Sequence, residues 1–567
     1  RQRLLGGLAD FLVGLQRTGV ALDDDGPGGA AGLIDVVRLE QHVVVEREAE
    51  QLRPLGGAEE NLPLVHGVVQ REEVHVVLAA HDQTTEGLGG QQLQGLLVVE
   101  ALDNVVVFAH ANHSCTNDLF PHLLPGTLNH SGYSLERFAT YVFGLDGVFG
   151  ITLDVSSKYI VLFIIFGAFL QISRVGQYFI DLAFSVAGGL RGGPAKVAVI
   201  SSALMGMMNG TSAGNAVATG SLTIPLMKRT GYKAKFASAT EATAAAGGQL
   251  LPPIVGAGAF LMAEILGIPY SEIIVAATIP AILYFISVYF MVDFEAQKKN
   301  MKGISRKDLP KLKDILIKSY LFIPIIILIT LLISGYSIIF SGTVGIVSCF
   351  LVSLFKKETR MGIRHIIESF ELGMKNSVQL IAVVACAGVI VGVIALTGVG
   401  MKFSSMLLSV ADSNLILALI FAMSISILLG MGMPTTAAYA VAASVVAPGL
   451  IQIGIEPLVA HLFVFYYAAI SAITPPVAVA AYAAAGISGT DPMKTGVQAF
   501  KLGLAAFIIP FMFFFSPQLL LQESFLSTTI ISVLTACLGV YLLAASVQSW
   551  FLKKQLNFVG RIILFVA

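Results

Sequence analysis

The stretch GMMNGTSAGNAVATGSLTIP, residues 206–225, is echoed later in the chain by GMGMPTTAAYAVAASVVAP, residues 430–448. The first copy contains Gly210-Thr211-Ser212-Ala213-Gly214, the G-x-S-x-G spacing of a hydrolase nucleophile elbow. The second keeps glycines and hydroxyls but sets Pro434, Thr435 and Thr436 around the position of Ser212. A catalytic serine has no chemical reason to recur in that form. Two matched Gly/Thr/Pro breaks in apolar segments do.

The setting is a membrane. Over 567 residues the chain is 55% hydrophobic and 13% charged, with a mean hydropathy of +0.80. A soluble chain carries about 25% charged residues, so the class is a polytopic membrane protein. A net charge of −1 provides no basic field for nucleic acid, which is excluded as a partner. The four cysteines have no C-x-x-C spacing, so neither a disulfide framework, a metal centre nor a cofactor is indicated.

The first 117 residues differ in composition. They hold no apolar run of spanning length, and eight of the ten histidines fall before residue 131. Lysine first occurs at Lys158, and Ile34 is the only isoleucine before Ile151. Two readings stand side by side: a soluble N-terminal domain, or a segment that is not native coding sequence. The histidine spacings fit no metal-ligand pattern.

From about residue 155 the chain runs through apolar segments of roughly the 20 residues a bilayer requires, from 157–173 to 525–549. Residues 236–264 and 497–517 each read as one segment, and 365–374 as a separate amphipathic interfacial helix before 375–397. The polar loop 295–318 carries eight Lys/Arg, and KKETRMGIR (356–364) follows two segments later. Both loops therefore lie on one side, which the positive-inside rule makes cytoplasmic.

The echo is one of four anchors in constant order. Gly176 and Phe179 fall on Gly400 and Phe403, Gly206 on Gly430, Pro225 on Pro448, and Pro252-Pro253 on Pro475-Pro476, at offsets of 223 or 224. Gly/Ala-rich helices resemble one another at any one point, but not at four points with shared spacing, so the chain is duplicated. Broken apolar segments at matching places in two halves mark a secondary transporter. Irregular backbone at membrane depth is tolerated only where it is buried or lines a cavity. Such breaks offer free N–H groups to an anion, and carbonyl and hydroxyl oxygens to a small cation.

From Leu119 to Phe515 the sequence resembles the large membrane subunit of TRAP transporters, of the fused-permease type. The resemblance rests on LPGTLNHSGYSLERF, GLRGGPAKVAVISSALMGMMNGTSAGNAVATGSLTIPLMKRTGY, GGQLLPPIVGAGAFLMAEILGIPY, GMGMPTTAAYAVAASVVAP and ITPPVAVAAYAAAGISGTDPMKTG, in family order. It implies an all-α, inverted-repeat, elevator-type transporter with two re-entrant hairpins in the bacterial inner membrane. Sodium would drive import of small organic acids (carboxylates) handed over by a periplasmic solute-binding protein. The fused type carries a small four-helix membrane domain and further helices ahead of this region; residues 1–117 resemble no part of the family, so the expectation is an N-terminally truncated or chimeric member without them. The organisation expected is a non-family segment 1–117, a membrane domain 118–517 with repeats near 157–293 and 375–517, and a C-terminal transmembrane helix and tail in 518–567.

The resemblance also implies that tips and breaks build two sodium sites, mostly from carbonyls. On that basis Ser212, Asn215, Gly430, Gly432, Thr435 and Thr474 are the expected cation ligands. Asn209, Thr211, Thr436 and the pairs Pro252-Pro253 and Pro475-Pro476 are the expected substrate contacts. Small residues here also permit close helix packing, which is enough to account for Ala213, Ala216 and Ala218. Glu241 is a charge in apolar surroundings whose counterpart is apolar, so it is a candidate for coupling. No Arg or Lys lies in the breaks, and Arg174 and Arg191 are the nearest basic candidates for a carboxylate. Membrane lipid is the surrounding partner.

Two rivals remain in view. A serine hydrolase at Ser212 needs a base and a preceding strand, and only His365 and His461 lie beyond residue 130. A passive channel also uses broken helices, but duplicated discontinuous segments favour alternating access.

Overall fold

Apolar residues at membrane depth must satisfy their backbone internally, and this chain does so with helices. The computed structural model describes residue 133 and residues 135–357, 359–522, 526–551 and 554–566, all within one unit running from Gly87 to Ala567. The segment 1–117 lies outside the described residues. Apart from a two-residue antiparallel ladder pairing Trp550 with Gln555 and Phe551 with Lys554, regular structure there is helical.

The first repeat comprises α1 (Ile151–Ile172), α2 (Val175–Ala187), α3 (Gly193–Gly206), α4 (Ser212–Arg229), α5 (Ala234–Gly247), α6 (Gly258–Leu266) and α7 (Tyr270–Lys298). Ahead of the basic loop 356–364, α8 (Ser319–Ile333) and α9 (Ile338–Ser353) link it to the second repeat. That repeat comprises α10 (Ile363–Thr397), α11 (Val399–Ser413), α12 (Leu415–Gly430), α13 (Thr435–Gln452), α14 (Pro457–Ile470), α15 (Val479–Ser488), α16 (Pro492–Gly503) and α17 (Ile509–Phe515). The chain ends in α18 (Leu526–Gln548) and the short α19 (Phe558–Val566).

Among the described residues, five helices are long and apolar enough to cross a membrane: α1, α7, α10, α13 and, from Ser527, α18. Most of the others are short because they flank the breaks. The interfacial helix expected at 365–374 is instead the first part of α10, which continues unbroken for 35 residues. The segment 236–264 is split into α5 and α6, and 497–517 largely into α16 and α17. Hydropathy alone misses these divisions because the intervening residues are themselves apolar.

The duplication reaches the backbone. Arg174 and Gly398 both take left-handed φ of 65° before α2 and α11. Gly231 and Gly454 (φ 100° and 90°) turn α4 into α5 and α13 into α14, and Gly267 and Gly489 (φ 64° and 69°) end α6 and α15. Both Pro-Pro bonds are cis. The hairpin arms α4 and α13 are each 18 residues long, and α5 and α14 are each 14.

Packing between the halves is reciprocal. The post-break helix α15 lies against α4 and α5 of the first repeat, while α6 lies against α13 and α14 of the second. An exchange of this kind is what a pseudo-two-fold axis produces, since each half offers the other the same surface. The outer helices α1 and α10 pack together beside this core.

Candidate functional site

The first hairpin turns between Gly206 and Ser212. Thr211 is extended (φ −138°, ψ 144°), and its hydroxyl accepts a hydrogen bond from the Gly214 N–H at 3.1 Å, capping α4. Asn209 Nδ2 donates to Asn215 Oδ1 at 3.2 Å, and Asn215 Nδ2 donates to the Ser202 carbonyl at 2.9 Å and to its hydroxyl at 3.2 Å. Asn215 therefore clamps tip to arm. Ser212 is buried at the first position of α4, preceded by a helix rather than a strand, so the elbow geometry is absent.

The first break, residues 248–257, lies against that tip. A Cβ on Gly206 would sit 2.4 Å from the Gly248 Cα, so the two backbones touch only because both residues are glycine. Gln249 Nε2 donates to the Asn209 carbonyl at 3.0 Å, fixing tip to break. Beyond Pro252-Pro253 the chain passes through Val255 and Gly256 at φ 48° and 55°, and Tyr270 Oη donates to the Pro253 and Ile254 carbonyls at 2.9 and 2.5 Å.

The second half repeats the plan with other side chains. Gly432 bends the second tip at φ 81°, and α13 starts at Thr435. Ser471 stands where Gly248 stands in the first half, and its hydroxyl donates to the Gly430 carbonyl at 2.9 Å. Thr474 donates to the Ile470 carbonyl at 3.0 Å, and Tyr482 bonds the Pro476 carbonyl. The hydroxyls of Thr435 and Thr436 are buried without a hydrogen-bond partner among the described residues, as is Gln249 Oε1.

The expected site residues thus fall into two clusters, one in each repeat, and each break also touches a helix of the other repeat. Asn209, Thr211, Ser212, Asn215, Pro252 and Pro253 form one; Gly430, Gly432, Thr435, Thr436, Thr474, Pro475 and Pro476 form the other. Three participants escaped the sequence reading: Ser202, Gln249 and Ser471. Gln249, an amide directly before the Pro-Pro pair, carried a readable signal; Ser202 lies on the opposite arm and carried none.

Donor chemistry fits a small hard cation. Neutral hydroxyl, amide and carbonyl oxygens surround both tips, and three of those oxygens are buried and unpartnered. The helices α4 and α13 begin at the two tips, and helix N-termini suit an anion rather than a cation. Basic side chains are engaged elsewhere: Arg191 Nη2 and Lys196 Nζ both bond Asp293, at 2.8 and 2.6 Å, and Arg174 is exposed. Glu241 lies in α5, fully buried, where the hydroxyls of Thr219 and Thr223 bond its two carboxylate oxygens.

Residues 136–528, more than half of the chain, match the family described as the tripartite ATP-independent periplasmic transporter, DctM component. The chain is 24% identical over 369 residues to a TRAP transporter large permease sequence of Haemophilus influenzae, covering 64% of this chain and 84% of the relative. It is 22% identical to the C4-dicarboxylate TRAP transporter large permease protein DctM of Pseudomonas aeruginosa, covering 59% and 78%. It is 21% identical to the 2,3-diketo-L-gulonate TRAP transporter large permease protein YiaN of Escherichia coli, covering 62% and 83%. Two hairpin tips closing on two unwound segments are a transporter's equipment rather than an enzyme's. The protein is a multi-pass protein of the bacterial inner membrane, and it belongs to the DctM component family of tripartite ATP-independent periplasmic transporters.

Proposed function

We propose that this chain carries out sodium-coupled uptake of small organic acids, carboxylates delivered by a periplasmic solute-binding protein. The observation that carries the reading is a tip-and-break unit in each of two reciprocally packed repeats, with buried oxygens of Gln249, Thr435 and Thr436 that have no partner among the described residues. One sodium ion would sit at each tip, with Ser212 and Asn215 among its ligands in the first half and Gly430, Gly432, Thr435 and Thr474 in the second. Asn209, Thr211, Thr436 and the two Pro-Pro segments would line the carboxylate site. Hydroxyls and helix N-terminal N–H groups would hold the anion, because the basic residues nearby are exposed or paired.

Movement would be of the elevator kind. The core formed by α3–α6 and α12–α15 would slide against outer helices that include α1 and α10, carrying both sites across the bilayer. A small four-helix membrane subunit or domain, together with lipid, would hold the outer helices in place.

The reading is tested in cells lacking their own uptake systems, expressing this chain with a solute-binding protein and a small membrane subunit of the same transporter family. Radiolabelled C4-dicarboxylates and keto acids should enter only when the binding protein and sodium are both present. Entry without either, following the substrate gradient, would replace the transporter with a channel.

A further inference from the structure

Tip one is connected to Glu241 by a buried polar path. Asn209 bonds Asn215, and Asn215 bonds Ser202. The Ser202 hydroxyl is 3.5 Å from that of Thr219, and Thr219 bonds the carboxylate together with Thr223. Asn215, Ser202, Thr219, Thr223 and Glu241 are all fully buried. Gly220 leaves room for the acid: a Cβ there would lie 3.1 Å from Glu241 Cγ and 3.2 Å from Ile487 Cδ1 of the opposite repeat.

The path exists in one half only. Its counterparts in the second repeat are Met433 for Asn209, Tyr439 for Asn215, Ala443 and Ala447 for Thr219 and Thr223, and Val464 for Glu241, with only Ser202 keeping its hydroxyl, as Ser426. A need for helix packing at the positions of Thr219, Thr223 and Glu241 would be met equally well by the apolar Ala443, Ala447 and Val464. Keeping an acid in one half points to a role for its charge.

Nothing basic neutralises that charge. Glu241 takes part in no salt bridge among the described residues. The helices packed on α5 hold their ionisable groups in other contacts. In α3, Lys196 pairs with Asp293 of α7; in α4, Lys228 donates to the Ser488 carbonyl, with Arg229 at the exposed end. In α7, Tyr284 donates to the Thr243 carbonyl, and in α14 His461 bonds Tyr439 while Tyr467 donates to the Phe507 carbonyl. Tyr466 of α14 is buried with an unpartnered hydroxyl. The α15 tyrosine, Tyr482, is bonded to Pro476, and in α16 Lys494 pairs with Asp491 while Lys501 stays exposed.

An ionised carboxylate away from water is costly unless a positive charge is close, and without one the group takes up a proton. We propose that Glu241 is a proton-binding site linked to tip one, releasing its proton when a cation occupies that tip. The exchange balances: the protonated carboxyl loses one H⁺ as the tip gains one Na⁺, so the net charge of the core is unchanged. Thr219 and Thr223 hold the carboxylate once it forms, and Ser202 and Asn215 connect it to the tip. The inference rests on the cation reading of the tip made above and adds a second ion to it.

Purified full chain in detergent micelles tests this through the sodium concentration that gives half-maximal thermal stabilisation, measured from about pH 5.5 to about pH 8. One released proton makes sodium bind more tightly as pH rises, by up to about tenfold per pH unit where the group titrates. Glu241→Gln should flatten that dependence, and Glu241→Asp should retain it. Infrared difference spectra should show a protonated-carboxyl band in the wild type that sodium removes and that Glu241→Gln lacks. Sodium affinity independent of pH, or the same slope in Glu241→Gln, overturns the proposal. No sodium effect at any pH would refute the sodium reading itself; the proton site then stands or falls on whether the infrared band titrates in the wild type alone.

Discussion

Gly206 and Gly248 meet backbone to backbone, and a methyl group on Gly206 would come within 2.4 Å of the Gly248 Cα. In the second half the same approach joins Gly430 to Ser471, where a methyl group would meet the serine Oγ at 2.7 Å. The first contact is rigid; the second involves a side chain that can rotate. Gly206→Ala should therefore destabilise the first tip by about 1–3 kcal/mol through overpacking, and Gly430→Ala by less. Thermal unfolding of both variants, with and without sodium, reads the difference, and equal losses would contradict it.

Thr435 and Thr436 bury hydroxyls without partners among the described residues. Such groups cost stability until a ligand uses them. Thr435→Val and Thr436→Val should each stabilise the ligand-free protein by roughly 1 kcal/mol, seen as a higher melting temperature, while weakening uptake. Loss of stability in both would show that the hydroxyls are already satisfied.

Arg174 adopts the left-handed conformation that its counterpart Gly398 adopts without penalty. For a residue with a Cβ this costs roughly 1 kcal/mol. Arg174→Gly should recover part of that cost, less the greater freedom glycine gives the unfolded chain, and should leave uptake unchanged. A loss of uptake would instead make the guanidinium part of the anion site.

Asp293 receives Lys196, whose side chain is 5% exposed, and Arg191 at the same carboxylate. Asp293→Asn leaves the buried lysine without its counter-charge and should cost about 3 kcal/mol. Combining it with Lys196→Met should restore much of the loss, which a double-mutant cycle measures.

The duplication was legible because its four anchors, mostly glycines and prolines, recur in order at offsets of 223 or 224. The structure adds Gly231 with Gly454 and Gly267 with Gly489, glycines that hold left-handed turns at matching places. Hydropathy reads 236–264 as one segment, because Leu250, Leu251, Ile254 and Val255 keep it high straight through the unwound backbone; Pro252-Pro253 was its sign of a break. The continuity of α10 was hidden by the reverse, a polar start to an otherwise apolar helix. Glu241 was conspicuous as a charge, but its path to the tip was not, since Ser202 and Thr219 meet only once two arms fold together. Thr211 was expected at the substrate; the structure shows it capping α4, a role its position before Ser212 also permits.

Sodium-driven accumulation is the most direct test. Proteoliposomes holding this chain, its small subunit and the binding protein loaded with radiolabelled carboxylate should concentrate that carboxylate above the external level under an inward sodium gradient. Collapsing the gradient should release it. Uptake that stops at equal concentrations, or proceeds equally in potassium, would contradict the account.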